Sequence, residues 1–255
     1  MPSSDVLAHC VERVLIVTGA SRGIGASTAV LAAQDGFKVC VNFCKQKQRA
    51  ESVVRQIADA GGHAISVQAD VTDEAEVIKM FETVDRELGP VTALVNNAGI
   101  NHIAQGRIDS CTQEELKKLF DTNVVSAFLC SREAIKRMST NHGGGGGAIV
   151  NLSSTLVRTA AAGRFIPYGA SKAAIEAFTT GLSQEVAGEG IRVNAVVPGA
   201  INSDMLPPDR LEQIIATLPM GRVGEPEEVA SAIVWLLSNE ASYVSGAHLG
   251  ITGAR

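Results

Sequence analysis

Short apolar runs rich in β-branched residues recur at 14–18, 38–42, 64–69, 93–96, 148–152, 192–197 and 248–252, and stretches of helical period fill the intervals at 27–35, 48–60, 74–88, 126–138, 170–187 and 227–237. A strand that is apolar along its whole length has to be covered on both faces, and strand–helix–strand repetition covers a parallel sheet in that way. The expected architecture is α/β: a doubly wound, parallel seven-stranded sheet with helices on both faces. The strand just before Gly19 should be central, and ligands should gather where the carboxyl ends of the strands diverge.

At 255 residues, 45% of them hydrophobic, the chain suits a single globular domain spanning 1–255, and no linker or internal repeat divides it. A formal charge of −5 without any basic block gives no footprint for nucleic acid or for an anionic membrane surface, which leaves small-molecule chemistry. Cys10, Cys40, Cys44, Cys111 and Cys130 form no C-x-x-C pair, so neither a disulfide framework nor a metal site is expected. Residues 1–13 lack the basic start and apolar core of a signal peptide, and no apolar run reaches spanning length, consistent with a cytoplasmic protein. The glycine run at 143–147 reads as a flexible surface connection.

Two segments carry chemistry. Thr18-Gly-Ala-Ser-Arg-Gly23-Ile-Gly25 follows the first strand and opens a helix, where small residues let the backbone approach a pyrophosphate and helix N–H groups point at it. Tyr168 and Lys172 stand four positions apart, so on a helix they share a face, and the ammonium favours the ionised phenol. A unit charge about 5 Å away at an effective dielectric near 20 is worth roughly 3 kcal/mol, about two pK units. That would bring tyrosine into the range of a general acid/base at neutral pH.

These motifs keep ordered company: Asp70-Val71 after the third strand, Asn96-Asn97-Ala98-Gly99 after the fourth, Asn123 in an Asp-Thr-Asn segment, Asn151-Leu-Ser-Ser154, and Pro198-Gly199-Ala-Ile201-x-Ser203 after the sixth. The set resembles the short-chain dehydrogenase/reductase family, a single-domain Rossmann-type fold, and the resemblance covers nearly the whole chain. It implies a nucleotide cleft in which Gly19, Ser21, Arg22, Gly23, Ile24 and Gly25 line the diphosphate. Asp70 and Val71 would hold the adenine, and Asn97, Ala98 and Gly99 would flank the adenosine ribose. Pro198, Gly199, Ile201 and Ser203 would face the nicotinamide, Ile201 through its backbone.

The catalytic tetrad implied is Asn123, Ser154, Tyr168 and Lys172. Ser154 would bond the substrate oxygen, Tyr168 would transfer the proton, and Lys172 would lower the phenol pKa and hold the ribose hydroxyls. Asn123 would keep a relay water beneath the lysine. Ser153, Ser154 and Thr155 all offer hydroxyls; Ser154 is the second serine of the N-x-S-S pattern, with Thr155 next in line.

The acid that takes a ribose 2′-OH in NAD sites is replaced at the end of the second strand by Phe43, with Asn42 before it and Lys45 beyond, and Arg22 adds a second cation. NADP(H) is therefore favoured, with NAD(H) the alternative. The substrate pocket of such enzymes is built from the segments here at 100–107, 155–167 and 200–220, the last resembling a mobile lid, and Arg107, Arg158 and Arg164 lie within the first two. The leading expectation is a carbonyl reductase or alcohol dehydrogenase for a small polar molecule such as a sugar or polyol. A 3-oxoacyl-carrier-protein reductase is the alternative within the family. It is disfavoured because His142 and Glu189 stand where such enzymes place basic docking residues, although Arg132, Lys136 and Arg137 leave some positive charge. A binding-only nucleotide sensor is the alternative of another class, disfavoured because such proteins lose the tyrosine or lysine. The resemblance also implies a homotetramer, or a dimer, packed through helices near 122–138 and 168–187.

Overall fold

The computed structural model describes residues 12–159, 164–206 and 211–255. Cys10, Pro207, Pro208 and the middle of the 155–167 segment lie outside the described residues. The sheet has seven parallel strands: β1 Val14–Val17, β2 Lys38–Phe43, β3 His63–Gln68, β4 Ala93–Asn96, β5 Gly147–Leu152, β6 Ile191–Pro198 and β7 His248–Ile251. Nine helices accompany them among the described residues: α1 Gly23–Gln34, α2 Lys47–Asp59, α3 Glu74–Glu87, α4 Gln113–Phe120, α5 Ser126–Met138, α6 Leu156–Thr159, α7 Ile166–Val186, α8 Leu211–Ile215 and α9 Pro226–Leu237.

Strand order is β3-β2-β1-β4-β5-β6-β7, so the chain winds outward from β1 in one direction and from β4 in the other. The topological switch lies between β1 and β4, whose registered residues include Val17 and Val95. Successive side chains of β1 feed opposite layers, as the two-residue period of a strand requires. Leu15 and Val17 join α1, α2 and α9 in one cluster, and Val14 and Ile16 join α3, α5 and α7 in the other. Every side chain of β1 is buried, which explains why the strand reads as a continuous apolar run.

Helix α4 is short and mostly polar, and it is fixed at its start by a capping box: Thr112 accepts from the Glu115 N–H while Glu115 accepts from the Thr112 N–H. A π-helical turn at Asp121–Val125 joins it to α5. The glycine run lies at the surface at Gly143 and Gly145, as expected, but it is closely packed at Gly144, Gly146 and Gly147. A Cβ at Gly144 would fall 2.3 Å from the Arg137 carbonyl oxygen, and one at Gly146 would fall 2.5 Å from that of Gly190. Gly146 also donates to the Met138 carbonyl at 2.7 Å. The glycines let the end of α5, the entry to β5 and the turn before β6 approach one another, a reason invisible in composition.

Candidate active site

The glycine turn is braced from beneath. Gly19 has φ +62° and lies where a Cβ would meet the Ala98 Cα at 3.0 Å. The Thr18 hydroxyl accepts from the N–H groups of Asn97 and Ala98, both at 3.0 Å, and the Asn97 amide donates to the Thr18 and Gly19 carbonyls at 2.8 and 3.1 Å. The turn is thereby locked to the end of β4. At Gly25 a Cβ would come within 2.5 Å of that Asn97 nitrogen, so the third glycine is needed for this contact. Arg22, Gly23 and Ile24 then open α1, whose first turn carries no acidic residue and no capping side chain. Its N–H groups are left for an anion, which is what a diphosphate requires. Ser21 stands half-buried in the same turn.

Two residues at the end of β2 depart from expectation. Phe43 is buried in the cluster beside α1 and α2. Asn42 is also buried, with its amide committed to the scaffold: Oδ1 accepts from the Gly19 N–H at 3.1 Å and Nδ2 donates to the Ala69 carbonyl at 3.1 Å. The residue expected at the selectivity end of the cleft is instead a tie between the glycine turn and β3. Lys45 remains exposed just past the strand.

Arg22 and Arg49, the latter in the first turn of α2, converge on one carboxylate oxygen of Asp204, at 2.7 and 2.9 Å. The Arg49 and Arg22 guanidiniums hold the Asp204 carboxyl below the usual range. Asp70 caps its own turn, accepting from the Thr72 N–H at 3.0 Å and hydroxyl at 2.8 Å, with Val71 buried beside it. Desolvation pushes the Asp70 carboxyl up, but the Thr72 bonds, Cys44 and the Lys45 charge together bring it below its ordinary value.

The second half of the cleft gathers around the ends of β5 and β6. Helix α7 begins at Ile166 with Pro167 in its first turn, which puts Tyr168 at the mouth and Lys172 one turn deeper. Lys172 is 4% exposed; its ammonium donates to the Leu152 carbonyl at 2.7 Å and lies 5.9 Å from the centre of the Tyr168 ring. The Ser154 hydroxyl stands near enough to the phenol to draw its pKa down, and it accepts from the Leu156 N–H at 3.2 Å. Ser153 turns its hydroxyl to Glu176 instead, at 2.7 Å, and Ser154 and Thr155 share the cavity wall with Tyr168.

Electrostatics here reverse the simple expectation. Burial pushes the Tyr168 phenol up to about 12, against the pull of the Ser154 hydroxyl, and pushes the Lys172 ammonium down to about 8. The cation is near, but desolvation of both groups outweighs its attraction for a phenolate. Asn123, in the π-helical turn, is buried and spans the gap to the loop after β4. Its Oδ1 accepts from the Ile100 N–H at 2.8 Å while Nδ2 donates to the Ile100 carbonyl at 2.9 Å and to Ser171 Oγ at 3.1 Å. Ser171 in turn donates to the Tyr168 carbonyl at 2.7 Å, which links the Asn123 turn to the start of α7.

A cavity of about 500 Å³ opens over this cluster. Its wall includes Ile24, Asn97, Gly99, Ser154, Tyr168, Lys172, Pro198, Gly199, Ile201 and Ser203, so the structure joins both halves of the expected site. Ile201 is held by a bridge to Gly224, with Gly224 donating to the Ala200 carbonyl at 2.9 Å. Of the arginines singled out in sequence, Arg164 lines the cavity, Arg158 is exposed and outside it, and Arg107 is exposed and paired with Asp109. Arg49, Asp204, Ser171 and Glu176 were not singled out; only Arg49 had a readable signal, a cation one turn past Lys45 at the opening of a helix.

A parallel sheet with a braced glycine turn at its switch point and a serine–tyrosine–lysine cluster across the cleft defines a nucleotide-dependent oxidoreductase. The sequence profile described as enoyl-(acyl carrier protein) reductase matches residues 19–253. An uncharacterized oxidoreductase of Escherichia coli, YgfF, is 47% identical over 95% of this chain and 99% of its own length. The 3-oxoacyl-[acyl-carrier-protein] reductase FabG of Staphylococcus aureus is 36% identical over 93% and 96%. A short chain dehydrogenase from Burkholderia cenocepacia, solved in complex with NADP, superposes with a TM-score of 0.88 at 32% identity, covering 95% of this chain and 97% of that one. The chain belongs to the short-chain dehydrogenase/reductase family of NAD(P)-dependent oxidoreductases. No metal-binding cluster of histidine, cysteine or carboxylate occurs among the described residues, and no helix among them is long and apolar enough to cross a membrane.

Proposed function

We propose that the protein is an NADP(H)-dependent carbonyl reductase in which Tyr168 is the proton donor. The observation that carries this reading is that Ser154, Tyr168 and the buried Lys172 share the wall of one cavity, with the Lys172 ammonium 5.9 Å from the centre of the Tyr168 ring. A bound nicotinamide supplies hydride. The uncapped start of α1 and the glycine turn fit its diphosphate, and Arg22 with Arg49 would take the 2′-phosphate, displacing the Asp204 carboxylate that now bridges them. Asp70 and Val71 would flank the adenine, with Asn97, Ala98 and Gly99 along the adenosine ribose.

Ser154 donates to the substrate oxygen and so polarises the carbonyl. Tyr168, kept protonated by burial, gives its proton to that oxygen as negative charge develops, and an alkoxide is a far stronger base than a phenolate. Lys172, still cationic below about pH 8, stabilises the phenolate that forms. Asn123 holds the loop carrying Gly99 and Ile100 against this cluster; its amide is occupied by protein groups, which supports a positioning role. Burial keeps the phenol protonated, the state in which it can donate to a carbonyl oxygen.

The likeness to FabG makes a carrier-protein substrate the second reading. Against it, the cations on α5 are already matched: Arg132 with Glu74, Lys136 with Glu133, and Arg137 with Asp85. Glu189 is bonded to the Ser139 hydroxyl at the end of that helix. This leaves little positive field for an acidic carrier. Exposed Val125 and Phe128, the latter stacked on Phe178, support assembly through α5 and α7, which sedimentation would test. The functional test is NADPH consumption over aldehydes, ketones and acetoacetyl thioesters with and without the carrier. Turnover of small carbonyls is expected. A salt-sensitive gain above about tenfold with the carrier would replace this reading by the second.

A further inference from the structure

Eight arginines among the described residues are matched by carboxylates: Arg13 by Asp35, Arg22 and Arg49 by Asp204, Arg86 by Glu87, Arg107 by Asp109, Arg132 by Glu74, Arg137 by Asp85 and Arg222 by Glu228. Arg164 and Arg255 differ from these in both partner and place. Both line the cavity over Tyr168, and no carboxylate among the described residues pairs with either. The Arg164 backbone is tied by its carbonyl, which accepts from the Gly106 N–H at 2.9 Å, and its guanidinium lies 4.9 Å from the centre of the Phe165 ring, itself part of the wall.

The rest of the lining sharpens the point. Among the described residues the wall contains no aspartate or glutamate, while Leu152, Leu156, Met205, Leu206 and Ile214 make much of it apolar. Sugars and polyols are bound by groups that accept from several hydroxyls, and carboxylates are the strongest of these. A cavity with cations, apolar surface and no acidic side chain among its described lining suits another molecule: a carbonyl compound with a short apolar frame and an anion at its far end.

We propose that the substrate is an anionic carbonyl compound, its carboxylate or phosphate gripped by Arg164 with Arg255 beside it. This rests on the carbonyl-reductase reading above and names the substrate class of the same site. Arg164 is then a specificity-determining residue. A guanidinium offers paired donors to either anion, whereas a neutral ester or alcohol in the same place leaves those donors poorly matched.

The experiment uses matched probes with the full chain: levulinate against its methyl ester, and hydroxyacetone phosphate against hydroxyacetone, each reduced with NADPH. At least one anionic member should exceed its neutral partner by about tenfold or more in kcat/KM, and which pair shows it tells carboxylate from phosphate. In Arg164→Met that ratio should fall below about threefold, Arg164→Lys should restore part of it, and Arg158→Met, outside the cavity, should leave it unchanged. Equal rates within both pairs, or a preference that survives in Arg164→Met and in Arg255→Met, would overturn the proposal. Failure of every carbonyl with both NADPH and NADH would instead overturn the reductase reading. Calorimetric titration of levulinate and hydroxyacetone phosphate into the wild type and Arg164→Met then decides the anion site: binding lost with the arginine upholds it, and no arginine-dependent binding sinks it.

Discussion

The state of Tyr168 can be read directly, because the chain has two tyrosines and the other, Tyr243, is fully exposed. In Tyr243→Phe the phenolate absorbance belongs to Tyr168 alone. Burial lifts its pKa from 10 to about 12, and at about 1.4 kcal/mol per unit the native state resists ionisation by roughly 3 kcal/mol more than the unfolded chain does. A pKa raised by folding contributes stability that is complete below pH 10 and lost as pH rises through about 12. Lys172 acts with the opposite sign: its pKa is lowered to about 8, so its burial is destabilising below that pH and the penalty is relieved between about 8 and 10.5. Near-ultraviolet titration of Tyr243→Phe, with circular dichroism to follow folding, should therefore show a single late transition near 12. Adding Ser154→Ala removes the one group that pulls the phenol down and should delay the transition further. A folded protein whose Tyr168 titrates near neutrality would refute the reasoning, since the ammonium would then outweigh desolvation.

Three further outcomes follow from the same geometry. Reduction should hold a plateau below pH 8 and decline as Lys172 loses its charge through about that value, while Tyr168 stays protonated; a steady-state pH profile of kcat/KM checks this. Asn123→Ala strips partners from the Ile100 N–H and carbonyl and from Ser171, and should cost roughly 2–4 kcal/mol in chemical denaturation. Removing Arg22 and Arg49 together should raise KM for NADPH by about tenfold or more and leave that for NADH within about threefold, measured with one substrate under both cofactors.

Much of this fold was legible because most strands are apolar runs closed by a polar or glycine turn, and β1, β2 and β5 are buried on both faces. Helix α4 escaped because it is only 8 residues long, although Leu116, Leu119 and Phe120 keep helical spacing and the Thr112–Glu115 capping box was there to be read. The juxtaposition of Ser154, Tyr168 and Lys172 followed from motif order, since strand ends converge in a doubly wound sheet. Their electrostatics did not, because depth of burial is a property of the whole fold. Asn42 and Phe43 show the same limit at one strand end: in a strand covered on both faces, sequence cannot say which side chain meets the cleft and which meets the core. Arg22, Arg49 and Asp204 meet only in space, across separations no local pattern spans.

Proton donation by Tyr168 is tested most directly by Tyr168→Phe, which removes one hydroxyl from the cavity wall and leaves the ring. With a ketone or aldehyde that the wild type reduces, NADPH turnover should fall by about a thousandfold, within the range general acid catalysis supplies. NADPH binding, measured by fluorescence, should stay within about threefold, since the glycine turn and the arginines are untouched. Turnover within about tenfold of the wild type, at unchanged cofactor binding, would contradict the assignment of Tyr168 as the proton donor.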